Sequence, residues 1–187
     1  MEVYNDCSVQ ERQWLDGCRH KDPRAQEKLF KHFYGLVTGI CLRYAPSRHQ
    51  AQEIVNDSFL KVFERIPHEE NLLNFRCWLR RLVVNTALDH YRKEKRYSLA
   101  ESLDNLDEHL PANDAIFDQL SAEELLRLLN QLPNQHRLVF NLYEIEGYSH
   151  DEIGTMMGIP AGSSRMYLSR AKNRLRKLVQ SDDLRTR

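Results

Sequence analysis

From Arg165 to Lys177 the chain carries Arg165, Arg170, Lys172, Arg174, Arg176 and Lys177, and no acid. Leu168, Ala171, Leu175 and Leu178 recur at helical spacing through the same run, so burying them would turn cations outward. Cations fixed along a helix neutralise phosphates, and an arginine among them can hold a guanine edge bidentately. Upstream, Ser149 and Glu152 have capping-box spacing, Ile153, Met156 and Met157 form a short apolar face, and Gly158 stands where a left-handed residue would end the helix. A short helix, a glycine turn and a basic second helix suit docking in a DNA major groove. The plainer alternative is a solvated basic helix closing an ordinary bundle.

A second group of such residues runs through Trp78, Arg80, Arg81, Asn85, Thr86, Asp89, His90, Tyr91, Arg92, Lys93, Lys95 and Arg96. Cations along a backbone, with amide and planar groups against bases, are what holding a single strand or an extruded base requires. Trp78 shares the phase of Leu82 and is expected in the core, while Asp89 either orients Arg92 or is simply exposed. Between Arg96 and Arg127 there is no lysine or arginine, and acids run from Glu101 to Glu124. The formal net charge of zero therefore conceals two basic stretches separated by an acidic connector. Such a connector repels phosphates, or merely keeps the chain soluble.

Other chemistry is hard to find. There is no glycine-rich phosphate loop, no HExxH and no nucleophile motif, so no catalytic residue and no enzyme activity is expected. Histidines show no paired ligand spacing, and Cys7, Cys18, Cys41 and Cys77 lack CxxC spacing; neither a metal nor a cofactor is expected. Cys41 and Cys77 fall in helical patterns and read as buried thiols in a reducing cytoplasm.

The elements that must carry these residues are helices. The 187 residues include only 7 glycines and 6 prolines, and alternating strand-like runs are absent. A first helix starts at Ser8 with Glu11 completing a capping box, and a second follows Asp22-Pro23 with Leu29, Phe33, Leu36, Val37, Ile40, Cys41 and Tyr44 inward. Pro46-Ser47 recaps a third, which runs to about Ile66 and buries Ala51, Ile54, Val55, Phe59, Val62, Phe63 and Ile66. Pro67–Leu73 reads as a loop, and Asn74 caps a fourth helix through about Arg96. Periodicity fades from Tyr97 to about Gln119. Ser121 and Glu124 form another capping box, before helices at about Ala122–Gln131 and Asn134–Glu146 that lead into the helix-turn-helix. No apolar run approaches the roughly 20 residues of a membrane span, and MEVYNDCSVQ lacks the pattern of a secretory leader, so a cytoplasmic protein without membrane insertion is expected. The fold class is all-α: a helical domain at 1–97, an acidic linker at 98–119 and a helix-turn-helix domain at 120–187.

AQEIVNDSFLKVFERI (51–66) with FRCWLRRLVVNTALDHYRKEKR (75–96) resembles region 2 of bacterial RNA polymerase sigma factors. QLPNQHRLVFNLYEIEGYSHDEIGTMMGIPAGSSRMYLSRAKNRLRKL (131–178) resembles their region 4. Having just these two regions is similar to the extracytoplasmic-function (ECF) class. The resemblance implies a transcription factor that binds core RNA polymerase, through the β′ coiled coil and the β flap, and directs initiation at promoter DNA. It assigns polymerase docking to Gln52, Glu53, Asn56, Asp57 and Lys61, which lie opposite the apolar stripe. Minus-10 DNA falls to Arg80, Arg81, Asn85, Thr86, Asp89, Arg92, Lys93 and Arg96, with Asn85-Thr86-Ala87 near a flipped base. Minus-35 DNA falls to Ser163, Arg165, Tyr167, Ser169, Arg170 and Lys172.

Many ECF factors carry Gly-Thr-Val-Lys/Arg-Ser-Arg where this chain has Gly162-Ser163-Ser164-Arg165-Met166-Tyr167, so Tyr167 replaces a basic residue, while Ser163 is expected to cap as threonine does. Gly154 replaces a common alanine. Many members are held by an anti-sigma protein, although no residue here identifies one, and a free monomer is expected. The main rival reading is a stand-alone helix-turn-helix regulator with a sensor or dimerisation module; a second, an enzyme with a DNA-binding tail, lacks any visible site. The run from Ala51 to Arg96 argues against the first, since a sensor has no reason to pair a polar docking helix with an Asn/Arg/Lys-rich one.

Overall fold

A computed structural model describes residues 7–69, 72, 74–97 and 121–183, and every regular element among them is helical. The proposed linker at 98–119 lies outside the described residues. The chain divides into two compact units, Met1–Lys93 and Glu94–Arg187.

In the first unit, α1 (Val9–Arg19) begins at the Ser8/Glu11 capping box, and α2 (Pro23–Tyr44) at an Asp22 side chain that accepts from the Arg24 amide. The Ser47 hydroxyl caps α3 (Arg48–Arg65) by accepting from the Gln50 amide. Asn74 offers its carbonyl to the Trp78 amide at the start of α4 (Phe75–Tyr97). A short 3-10 turn, Ile66–His68, replaces the first part of the expected loop.

α2 packs between α1 and α3. Its apolar stripe supplies Leu29, Phe33, Val37, Ile40, Cys41 and Tyr44 to the core, with Leu36 only half-buried. Phe33 meets Phe75 of α4 edge-on at 5.1 Å, and Phe30 meets Phe59 of α3 at 4.5 Å, geometries that aromatic quadrupoles favour. Trp78 is half-buried rather than enclosed; it stacks on Phe75 and donates its indole N–H to Glu69. Cys77 corrects an expectation: it is exposed, because α4 turns Leu79, Leu82, Val83 and Val84 inward. Cys41 is buried, and desolvation pushes its thiol up to about 12.

The second unit comprises α5 (Ala122–Leu129), α6 (Asn134–Phe140), α7 (His150–Met157) and α8 (Ala161–Asp183). Here α5, α6 and α7 each pack on α8. The helix expected over Asn134–Glu146 is interrupted. Residues Asn141–Ile145 widen into a π-helical segment, in which the Glu146 amide reaches the Asn141 carbonyl five residues back. Gly158 ends α7 at φ 66°, a left-handed position that glycine takes without a Cβ penalty. α8 starts earlier than expected. Pro160 offers its carbonyl to the Ser164 amide, so Ser163 lies in the first turn and is not the cap.

No described helix is long and apolar enough to cross a membrane. Among the described residues no cluster of His, Cys, Asp or Glu could hold a metal ion.

Candidate nucleic-acid interface

On α3 the core takes Ala51, Ile54, Val55, Ser58, Phe59 and Val62, while Phe63, expected among them, is only half-buried, and Gln52, Glu53 and Asn56 are exposed. Gln52 donates to the Asn56 amide oxygen at 3.1 Å and accepts from the Tyr34 hydroxyl at 3.0 Å, so the amides are held in one orientation. Asp57 and Lys61 differ in placement. Both are half-buried and face α4: Asp57 Oδ2 lies 2.8 Å from His90 Nε2, and Lys61 donates to Asp89 at 3.1 Å.

Sequence reasoning passed over Leu60, which is 62% exposed one turn beyond Asn56. Its signal was its phase, since Leu60 does not fit the stripe through Phe59 and Val62.

On α4, Arg80, Arg81, Asn85, Arg92 and Lys93 are exposed, with Asp89 half-buried among them. Asp89 Oδ1 accepts a 2.8 Å hydrogen bond from Arg92, so the acid orients the cation as one of its two expected roles required. Thr86 lies apart from this face. It is 1% exposed and donates its hydroxyl to the Leu82 carbonyl, because its position falls in the apolar row beside Val83 and Ala87. Arg96 lies within α4, but its side chain is outside the described residues.

An unforeseen cluster anchors this helix. Glu11, only 2% exposed, lies 2.7 Å from Arg76 of α4 and 3.0 Å from His32 of α2, while its other oxygen accepts from the Ser8 amide. Burial pushes its pKa up, but the hydrogen bonds from Ser8, His32 and Arg76 more than offset that, and the carboxyl is held below the usual range. Arg76 also lies over the Phe33 ring at 5.4 Å.

In the second unit, α7 and α8 form the helix-turn-helix. A Cβ on Gly154 would stand 2.8 Å from the Ile159 carbonyl oxygen, so a side chain there would force this turn to shift. Ser164 is fully buried and its hydroxyl lies 2.9 Å from His150 Nδ1. The His150 ring stacks on Tyr143 at 4.5 Å.

Along α8, Leu168, Ala171 and Leu175 are buried, together with Asn173 and Arg176, so Arg176 is not one of the outward cations. Arg165 and Met166 are exposed, while Ser163, Ser169 and Arg170 are half-buried. Tyr167 packs against His136 with ring centroids 5.3 Å apart, and Lys172 pairs with Glu144 at 2.9 Å. Arg137, 2% exposed, donates to Asn130 and Asn134, and burial lowers its guanidinium to about 10.

Two family models match the chain: sigma-70 region 2 over residues 29–97, and sigma-70, region 4 over residues 122–175. The chain belongs to the sigma-70 family, in the ECF class. It is 29% identical over 170 residues to the ECF RNA polymerase sigma-E factor of Haemophilus influenzae, covering 85% of this chain and 89% of that one. It is 25% identical over 182 residues to the RNA polymerase sigma-H factor of Pseudomonas aeruginosa, covering 91% and 94%. A solved structure of the sigma factor RpoE with the anti-sigma factor NepR from Bartonella quintana aligns at TM-score 0.49 and 20% identity, covering 83% of this chain and 97% of that one.

In this sigma factor the region 2 match takes in α3, α4 and most of α2, whereas α1 precedes it. Glu11 of α1 nevertheless bonds to α2 and α4. The region 4 match takes in α5 to α7 and α8 as far as Leu175.

Proposed function

We propose that this ECF-type sigma factor docks on core RNA polymerase through the exposed face of α3 and reads promoter DNA through α4 and α8. The class function is promoter recognition and transcription initiation, with core polymerase and promoter DNA as partners. The observation that carries the assignment is the pairing, within one unit, of a polar α3 face held in register by Tyr34 with a cationic α4 face.

Docking falls to Gln52, Glu53 and Asn56, with Leu60 as an apolar centre; an apolar core inside a polar rim is the ordinary anatomy of a protein interface. Asp57 and Lys61 hold α3 to α4 as well as bordering that face. The minus-10 element meets Arg80, Arg81, Asn85, Arg92, Lys93 and Arg96, with Asp89 orienting Arg92. The minus-35 element meets Ser163, Arg165, Ser169 and Arg170, while Tyr167 and Lys172 brace α8 from its flanks. Phosphodiester chemistry belongs to the polymerase, and this chain contributes recognition and strand separation. The domains divide as 1–97 for region 2, 98–119 for the linker and 120–187 for region 4. A cytoplasmic location, monomeric when free, with an anti-sigma protein as a further partner, completes the reading.

Co-elution with bacterial core RNA polymerase tests it. Wild type is expected to co-elute, and a Glu53→Ala/Asn56→Ala variant to lose binding with its helicity intact. A folded wild type that does not bind, yet holds duplex DNA alone, would establish the free-standing regulator instead.

A further inference from the structure

Met166 is 41% exposed in the second turn of α8, a methionine turned to water while Leu168, Ala171 and Leu175 fill the core. The residues around it narrow what the start of the helix presents. Ser164 is buried against His150, Tyr167 leans on His136, and Lys172 is engaged by Glu144. Gly162, Arg165 and Met166 are therefore the exposed residues of the first two turns. In a helix-turn-helix those turns of the second helix approach base edges. The cations Arg165, Arg170, Arg174 and Lys177 on the same helix match a phosphate-lined groove.

We propose that Met166 reads a thymine methyl group in the major groove of the minus-35 element, beside the base contact made by Arg165. The thymine C5 methyl is the one apolar feature that a base pair offers there. An unbranched thioether side chain reaches it without demanding a fixed rotamer. Gly162, one turn earlier on the same exposed face, leaves room for the backbone to approach the DNA. This inference rests on α8 being the minus-35 helix.

The test uses holoenzyme assembled from core polymerase and the full chain. Wild type and Met166→Ala are each used to select duplexes from a library randomised across the minus-35 element. The selected duplex is then remade with deoxyuridine in place of each thymidine in turn, which removes only the methyl. The expected result is one thymine whose replacement weakens wild-type binding about fourfold, the effect of burying one methyl group. Met166→Ala should bind both duplexes alike and lose its base preference at that position only. An unchanged deoxyuridine penalty in Met166→Ala, a uniform loss across all sequences, or a wild type indifferent to every thymine methyl would overturn the proposal. A wild-type holoenzyme that enriches no minus-35 sequence would instead overturn the reading of α8 itself.

Discussion

Lys61 of α3 donates to Asp89 of α4 across 3.1 Å, and the same carboxylate holds Arg92 at 2.8 Å. One acid thus ties the helix that carries the docking amides to a cation on the DNA-facing helix. His90 and Asp57, 2.8 Å apart, make a second tie alongside. Exposed ion pairs contribute little to stability, and these groups are partly exposed, so their main effect is on geometry.

Lys61→Asp or Asp89→Lys alone should change stability by less than about 1 kcal/mol. Each should slow promoter melting, followed by a fluorescent base in the minus-10 non-template strand. The double exchange restores the tie between the helices with its sign inverted, although it leaves Arg92 beside a cation, and should melt the promoter faster than either single variant. A double variant no faster than the singles would show that the pair does not position α4.

Leu60→Asp places a charge where the docking face offers its one large apolar side chain. Binding to core polymerase should weaken by at least about tenfold, the scale of a hot-spot loss, with no fall in unfolding temperature. An equilibrium titration of labelled protein with core enzyme measures it.

Glu11→Gln removes the charge that Arg76 and His32 converge on. At neutral pH the loss should be about 1.5–3 kcal/mol, the range for hydrogen bonds to charged groups. Because the folded-state value lies below the ordinary 4.5, the carboxylate's contribution is complete above the unfolded value and disappears as pH falls through the folded one. Urea unfolding should therefore separate wild type from variant at pH 7 and bring them together in strong acid.

Gly154→Ala should destabilise the second unit, although alanine is the better helix former by about 1 kcal/mol. The new Cβ would lie 2.8 Å from the Ile159 carbonyl oxygen, which belongs to the turn backbone and cannot rotate away. Overpacking of this kind costs about 1–3 kcal/mol, so the steric effect outweighs propensity. A rise in unfolding temperature would refute the argument.

His150 is shifted below its ordinary 6.5, first by desolvation and then by the nearby charge of Arg165, against a smaller opposing pull from Asp151. The unfolded chain therefore takes up this proton before the folded chain does. Stability should fall as pH drops below about 6.5, and level off once the folded-state histidine also protonates. His150→Gln keeps an uncharged polar group beside Ser164 and should remove this part of the pH dependence in thermal unfolding.

Helix starts were legible because capping chemistry is local. Ser8/Glu11, Asp22-Pro23, Ser47, Ser121/Glu124 and Ser149/Glu152 each sit within a few residues of the amides they satisfy. The stripes of α2 and α3 were legible for the same reason, since period alone decides which face an apolar residue occupies. Less was legible where one face must serve two purposes. Thr86 shares a motif with Asn85 yet falls on the buried side, and Cys77 sits in a helical pattern yet points outward.

The sequence by itself determined an all-helical chain, where its helices begin, which stripes they bury, and which two stretches carry the cations. Tertiary structure alone decided which polar groups meet. Glu11 finds Arg76 65 positions away, Asp57 finds His90 33 away, and Tyr167 turns from the recognition face to lean on His136. A cap or a stripe is set by neighbours along the chain, whereas a charge can be oriented, buried or left for DNA only by whatever the packed helices bring beside it.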